Sequence, residues 1–568
     1  MNRIVVCVLL WGGLLAGNVY ADRHKISKDL VDKLGRPDTT VDVIVQFRND
    51  PTDGDFADFT SKGARLKQYL KRFRTTTFTV PAEVLDALSD NPNVSYVSPD
   101  RPVNAQFDFA EQAINAPQAW QLGLDGTGVG IAVVDSGIFA HDDLEQANSH
   151  KSRVVYKQIF SGRNGDDYGH GTHVAGIAAG NGKDSSGSGF TTTFKGVAPN
   201  ANLIDLEVMD STGATTDSLV IAAIHRAIDL KDQYNIRVIN LSLGRPIYES
   251  SQLDPLCLAV KEAWNSGIVV VVSAGNLGRN SYASILSPGN SPYVITVGAM
   301  KTQGTPARGD DQIASYSSKG PTYLDLTVKP DLVAPGNRMV SLLAPGSTLV
   351  RSYPANVVDP RSYGAKNGKA DYFTLSGTSM ATPMVSGAAA LMLQKEPQLT
   401  PDTVKARLMK TATKDFPATS IAVDPVTGVA YTSQYDIFTI GAGYLDVAGA
   451  LANGDVATAG SQSPGVFYDS ASGNAYIIDD NTAVWGTTVV FRKTAVWGTT
   501  AVWGTTAVWG TAAGRTAVWG TTAVWGSSAV WGTAAGRTAV WGTSAVWGTT
   551  AVWGTSAVWG TDQIRGEN

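Results

Sequence analysis

The sequence predicts an α/β protein: a parallel sheet flanked by helices, preceded by a small α+β unit and followed by a β-type repeat region. Three observations carry this reading. In the middle of the chain, nearly continuous apolar runs recur at residues 129–134, 237–243, 267–272 and 293–298. Strands read that way when both of their faces are buried, as in a parallel sheet. Between the runs lie stretches of helical periodicity such as 217–229, the crossovers that parallel neighbours need. Three of the runs end in polar or glycine-rich turns, Asp135-Ser136-Gly137, Ser242-Leu243-Gly244 and Ala274-Gly275-Asn276. In such sheets active sites lie at the carboxyl ends of the strands.

Residues 1–21 read as a signal peptide. Arg3 gives a basic start, an apolar run follows to about Gly17, and Val19-Tyr20-Ala21 is small where a signal peptidase reads. The run is too short to anchor, and no other stretch approaches the roughly 18 apolar residues of a spanning helix. The mature chain is therefore expected to be exported without a membrane span. Cys7 leaves with the signal. Cys257, in the apolar stretch LCLAVKEAW, then stands alone as a core residue, so rigidity must come from packing or bound ions. Over the 568 residues a net charge of −5 gives no electrostatic reason to expect nucleic acid or an anionic membrane as partner.

Residues 22–106 read as a compact α+β unit. Residues 41–47 alternate as a strand, 55–71 form a helical stretch, and 75–80 form a second strand. A helix opened by Pro81 covers 81–88, and 94–100 close the unit with strand character. Residues 107–453 are the parallel-sheet domain, and 454–481 form a linker rich in Gly, Ser and Asp.

Residues 482–561 are built on AVWG, and 562–568 are a short tail. The repeat holds eleven of the fourteen tryptophans, from Trp485 to Trp559, spaced 12, 6, 6, 10, 6, 6, 10, 6, 6 and 6 residues apart. Every spacing is even, so an extended chain puts all the rings on one face, whereas a helix would scatter them. A disordered low-complexity tail is the alternative, and it accords poorly with so many large apolar rings.

Three islands carry chemistry. VVDSG leaves Asp135 at the end of a buried strand. YGHGTHVAG places His170 ahead of a helix of small residues. LSGTSMATP sets Ser379 at the head of the helical run that continues to about 391. Ser and Thr cap helices and Pro suits a first turn, so a purely structural reading of LSGTSMATP is available. Nucleophilic catalysis by a hydroxyl needs a base to take its proton and a carboxylate to orient that base. The islands supply one of each.

In the order Asp…His…Ser these islands resemble the subtilisin-like serine proteases, the subtilases, together with the phrases GVAP (196–199), NLSLG (240–244) and KPDLVAPG (329–336). The order separates them from other Ser/His/Asp folds. The resemblance implies an endopeptidase working through an acyl-enzyme, with no cofactor for catalysis. Ser379 would be the nucleophile, His170 the base and then acid, and Asp135 the orienting carboxylate. The Asn276 amide and the Ser379 backbone N–H would form the oxyanion hole. Ser242, Leu243 and Gly244 would run beside an extended protein or peptide substrate, with Leu286 near the floor of the primary pocket.

The 22–106 unit resembles the ferredoxin-like propeptide of the family, a chaperone and inhibitor removed by self-cleavage near 104–112. Asp142 and Asp143 fall near where relatives place a calcium ligand, so structural calcium is admitted with Asp143 as the candidate. A solvated Asp pair reads that stretch equally well, and the loop 180–189 matches no calcium loop by its spacing. His173 reads as a hydrogen-bonded core residue and His225 as structural. A second class of function stays open: an adhesion or binding protein whose Trp repeats hold a surface or carbohydrate partner, with the protease domain processing it or serving as scaffold.

Overall fold

The computed structural model describes residues 25–27, 30, 40–100, 109–147, 149–161, 165–279, 281–365, 368–424, 428–469 and 474–478. The signal segment, part of the region expected to hold the cleavage bond, and the AVWG repeats lie outside these residues. The chain divides into two compact units, one ending at Ala105 and the other beginning at Gln106.

The N-terminal unit is a four-stranded antiparallel sheet with two helices. Its elements are β1 (Thr40–Phe47), α1 (Asp53–Ser61), β2 (Arg65–Leu70), β3 (Thr75–Pro81), α2 (Leu85–Ser89) and β4 (Val94–Pro99), and the strand order is β2-β3-β1-β4. Alternation along β1 buries Val41, Val43, Val45 and Phe47, and Phe59 of α1 meets Phe78 of β3 edge to face at 5.5 Å. The long helix expected over 55–71 is instead a helix and a strand. Thr52 and Asp55 form a capping box at its start, and Gly63 at φ +92 turns the chain back just past its end. Residues 65–70 then pair with β3, where ladder bonds outweigh the helix propensity of Arg, Leu, Lys and Gln.

The larger unit is built on a mainly parallel sheet. Its strands are β5 (Gly130–Asp135), β6 (Val154–Ile159), β7 (Asn202–Glu207), β8 (Ile236–Leu241), β9 (Val269–Ser273), β10 (Ile295–Lys301), β11 (Gln312–Ile313) and β12 (Leu332–Pro335). The order is β11-β10-β9-β8-β5-β7-β6, with β12 parallel to β10 and only β11 antiparallel. Every residue of β5, β9 and β10 is buried, which is why these runs read as uninterrupted apolar sequence. Helices α3 (His170–Ala179), α4 (Asp217–Asp229), α5 (Pro255–Asn265) and α6 (Thr378–Lys395) flank the sheet. The longest, α6, lies along β8, β9 and β10 and packs against α3. Among the described residues no helix is long and apolar enough to cross a membrane.

The stretch read as a linker is bonded to this unit along its first part. Arg407 donates to the Asp455 carbonyl, Lys410 pairs with the Asp455 carboxylate, and Asp402 accepts from the Ser461 N–H at 2.6 Å. Ser463 reaches a fully buried ion pair. Lys405 Nζ lies 3.2 Å from Asp331 and donates to Ser463 Oγ at 2.8 Å, while Ser463 donates to Asp331. Small polar residues give a loop composition, but here they satisfy buried charge. Ser463→Ala removes a donor and an acceptor from a site with no exposure, and an unmade buried hydrogen bond costs about 1–3 kcal/mol. The expected outcome is a loss of that size in chemical or thermal unfolding of the full chain.

Candidate active site

Because β5, β8 and β9 run parallel, their carboxyl ends share one edge of the sheet, and the sequence puts Asp135, Ser242 and Asn276 there. Helix α3 begins at this edge with His170. His170 Nδ1 lies 2.8 Å from Asp135 Oδ1, which also accepts from the Ser136 N–H at 2.8 Å. Asp135 is wholly buried and His170 nearly so. Burial pushes the imidazole down, but the Asp135 charge and hydrogen bond outweigh it, and the His170 pKa is raised above its ordinary 6.5. A side chain at Gly171 would collide with the Gly137 carbonyl, so glycine there lets α3 approach the turn after β5.

Residue-type reasoning missed what holds His170 in place. Asp166, itself buried, accepts from the Gly169 N–H at 2.6 Å, the Thr172 N–H at 2.8 Å and Ser136 Oγ at 2.7 Å. It caps the free N–H groups at the head of α3, a role that a carboxylate four residues before the helix's first residue could have signalled. Ser136 Oγ accepts in turn from the Gly171 N–H at 2.8 Å, tying the helix to the Asp135 turn.

Helix α6 begins one residue before Ser379. Ser379 Oγ donates to the Ser242 carbonyl at 3.2 Å, and Ser242 Oγ donates to the Ser379 carbonyl at 2.7 Å. The second bond has a cause in Pro383, which stands inside the helix and not in its first turn as expected. A helical carbonyl accepts from the N–H four residues on, and Pro383 has none to give, so the Ser379 carbonyl is left to Ser242. Ser242 Oγ is further held by Asn240 Nδ2 at 3.0 Å, and Asn240 by Ser386 at 2.8 Å.

Asn276 Oδ1 accepts from the Thr378 N–H at 2.9 Å and from Thr378 Oγ1 at 3.1 Å. Both are donors, so Oδ1 is the end pinned to α6. Thr378 therefore orients the amide in addition to opening the helix. Leu243 is buried, and Leu286 packs between Gly244 and Gly275, where any added side chain would strike it. His173 donates from Nε2 to the Met339 and Phe373 carbonyls within the core, and burial followed by the neighbouring His170 pushes its pKa down to about 3. His225 is exposed and lies 3.4 Å from Asp229 one turn on.

Asp143 is not a solvated residue. It is fully buried, and its oxygens accept from the Asp184 N–H at 2.7 Å and from Tyr372 Oη at 2.8 Å. Asp184 comes from the 180–189 loop whose spacing gave no sign of it. With His141 the two carboxylates form a group whose ligand atoms lie within 4.8 Å of one another and could hold a metal ion. Asp184 Oδ2 is buried and receives no hydrogen bond, the feature that suits a cation.

The family is decided by comparison with known proteins. The Subtilase family pattern matches residues 126–433, more than half of the chain. The chain belongs to the subtilase family. This subtilase is 40% identical to Serine protease AprX of Bacillus subtilis (strain 168) over 364 residues, 62% of this chain and 77% of that protein. It is 33% identical to Subtilisin J of Geobacillus stearothermophilus over 414 residues, 71% of this chain and 93% of the relative. This subtilase is accordingly a serine-type endopeptidase.

Proposed function

We propose that Ser379, His170 and Asp135 are the catalytic triad of a secreted, self-processing endopeptidase. The observation that carries this is the Asp135–His170 pair at 2.8 Å on the sheet edge to which Ser242 ties Ser379. His170 takes the Ser379 hydroxyl proton as the oxygen attacks a peptide carbonyl, then gives it to the leaving amine. Water, activated by the same imidazole, releases the acyl group. Asp135 holds the tautomer that leaves Nε2 free to accept and stabilises the imidazolium. Asn276 Nδ2 and the Ser379 N–H at the head of α6 receive the oxyanion, where the helix end favours negative charge. Ser242-Leu243-Gly244 is read as the wall beside the substrate, and Leu286 as the floor that limits the primary pocket to modest apolar side chains.

The N-terminal unit is read as the inhibitory propeptide, and the AVWG repeats as a module that binds or tethers. Ser379→Ala should abolish casein hydrolysis, a fall of about 10⁴–10⁶ in turnover. N-terminal sequencing should find a new terminus near residues 104–112 in the wild type alone. Identical processing in both proteins would refute self-cleavage.

His170 must be neutral to act as base, and its pKa is raised, so activity should fall as pH drops through a value above 6.5. Asp135→Asn removes the charge that raises it. The acid limb of the kcat/KM profile should then move to lower pH, with a rate loss of about 10⁴.

Asp143 and Asp184 are the residues whose oxygens would hold a structural calcium, with the His141 imidazole beside them, its Nδ1 accepting from the Asp143 N–H at 3.1 Å. Calcium takes roughly six to eight oxygens, so backbone or water oxygens would have to complete the set. Bound there, it would tie the 180–185 loop to the 141–145 turn and take no part in the reaction. Chelation should lower the thermal midpoint of the wild type and leave that of Asp184→Asn unchanged, measured by circular dichroism with and without added calcium.

A further inference from the structure

A cavity of about 110 Å³ opens beside the candidate active site, with Ser136, Glu207, Met209 and Asp210 among its lining residues. It shares a wall with the triad carboxylate. Ser136 follows Asp135 directly, and the Val208 and Met209 N–H groups donate to the Asp135 carbonyl at 2.8 and 3.3 Å. Among the described residues the wall is short of positive charge. Asp205 and Glu207 project from the same face of β7, since they stand two residues apart. One ammonium serves both: Lys157 Nζ lies 3.1 Å from Asp205 and 3.6 Å from Glu207. The Glu207 side chain is only 2% exposed, yet its Oε2 receives no hydrogen bond, and neither does Asp205 Oδ1. Asp210 adds a third carboxylate at the exposed mouth, where Oδ1 is engaged by Thr212 and Ala214.

Asp166 is not part of the deficit, because three donors satisfy it. Burial pushes the Glu207 carboxyl up to about 7, Lys157 offsets only part of that, and Asp205 adds to it. A buried carboxylate with an unfilled acceptor is costly unless a donor of opposite charge reaches it. Met209 supplies apolar wall along the approach. The complement is a side chain with an apolar stem and a cationic end.

We propose that this pocket receives a lysine or arginine side chain of the substrate, and that Glu207 selects it. The inference rests on Asp135 belonging to the catalytic centre, since only then does the pocket lie beside the bound peptide. It makes Glu207 a specificity determinant distinct from the primary pocket under Leu286.

The test is a positional library of internally quenched peptides in which lysine is compared with norleucine, its uncharged near-isostere, at each position. It is run on the processed full-length enzyme, Glu207→Gln and Glu207→Asp. At one position kcat/KM should favour lysine by about tenfold, the size of one charged hydrogen bond, and chiefly through KM. The ratio should fall toward one in Glu207→Gln and be retained in Glu207→Asp. No lysine preference in the wild type overturns the pocket, a result that needs no variant to fold. So does a preference that survives Glu207→Gln. Hydrolysis of no peptide at all would overturn the proteolytic reading and the pocket with it.

Discussion

Parallel strands buried on both faces leave one place where the chain can be polar, and the rest of this subtilase is arranged around satisfying it. Backbone groups and charges at the carboxyl edge of the sheet leave water on folding, so each needs a partner. Asp166 answers three donors at the head of α3, and Ser242 and Ser379 exchange hydroxyl–carbonyl bonds. Thr378 takes the Gly275 N–H and holds Asn276. The groups read as catalytic are thus the ends of short chains of hydrogen bonds whose other ends are structural. Preorganisation and stability come from the same contacts here, because a side chain fixed by two donors has little freedom left to lose at reaction.

The close approaches that this needs explain the small residues. Gly171 faces the Gly137 carbonyl, and Gly387 of α6 lies against Val197 and the Ala178 carbonyl. A helix of Ala, Gly and Ser can lie this near a neighbour because little side chain stands between the backbones. The signal in HGTHVAG and SGAAA is therefore steric, and its chemical content depends on the single polar residue that each run presents.

Much of the central fold was legible in sequence because burial on two faces leaves a plain mark. Residues 217–229 form α4 as read, and β5, β9 and β10 lie within two or three residues of their apolar runs. Edges were harder. The exposed β2, Arg65–Leu70, carries a pattern that suits helix as well as strand, and only pairing with β3 decides it. The candidate residues were found by motif, but their supports were not. Asp166, Thr378 and the Asp143–Asp184 pair act through geometry between segments distant in sequence, and no local period encodes that. Pro383 misled for a related reason: its place in the helix depends on Ser242, 141 residues earlier in the chain.

The bonds made by residues 455–466 have a mechanical meaning. A chain that merely trails from a domain transmits a pull to one peptide bond at a time and peels away. Here a pull on the C-terminal end meets the antiparallel pairing of 474–478 with 465–469 first, then Val466 and Pro464 bonded to the 326–328 segment, then Ser463 held by the buried Asp331–Lys405 pair, then Asp455 held by Arg407 and Lys410. The anchors are spread over the tail and reach into the core, so tension is shared among them before any one gives way.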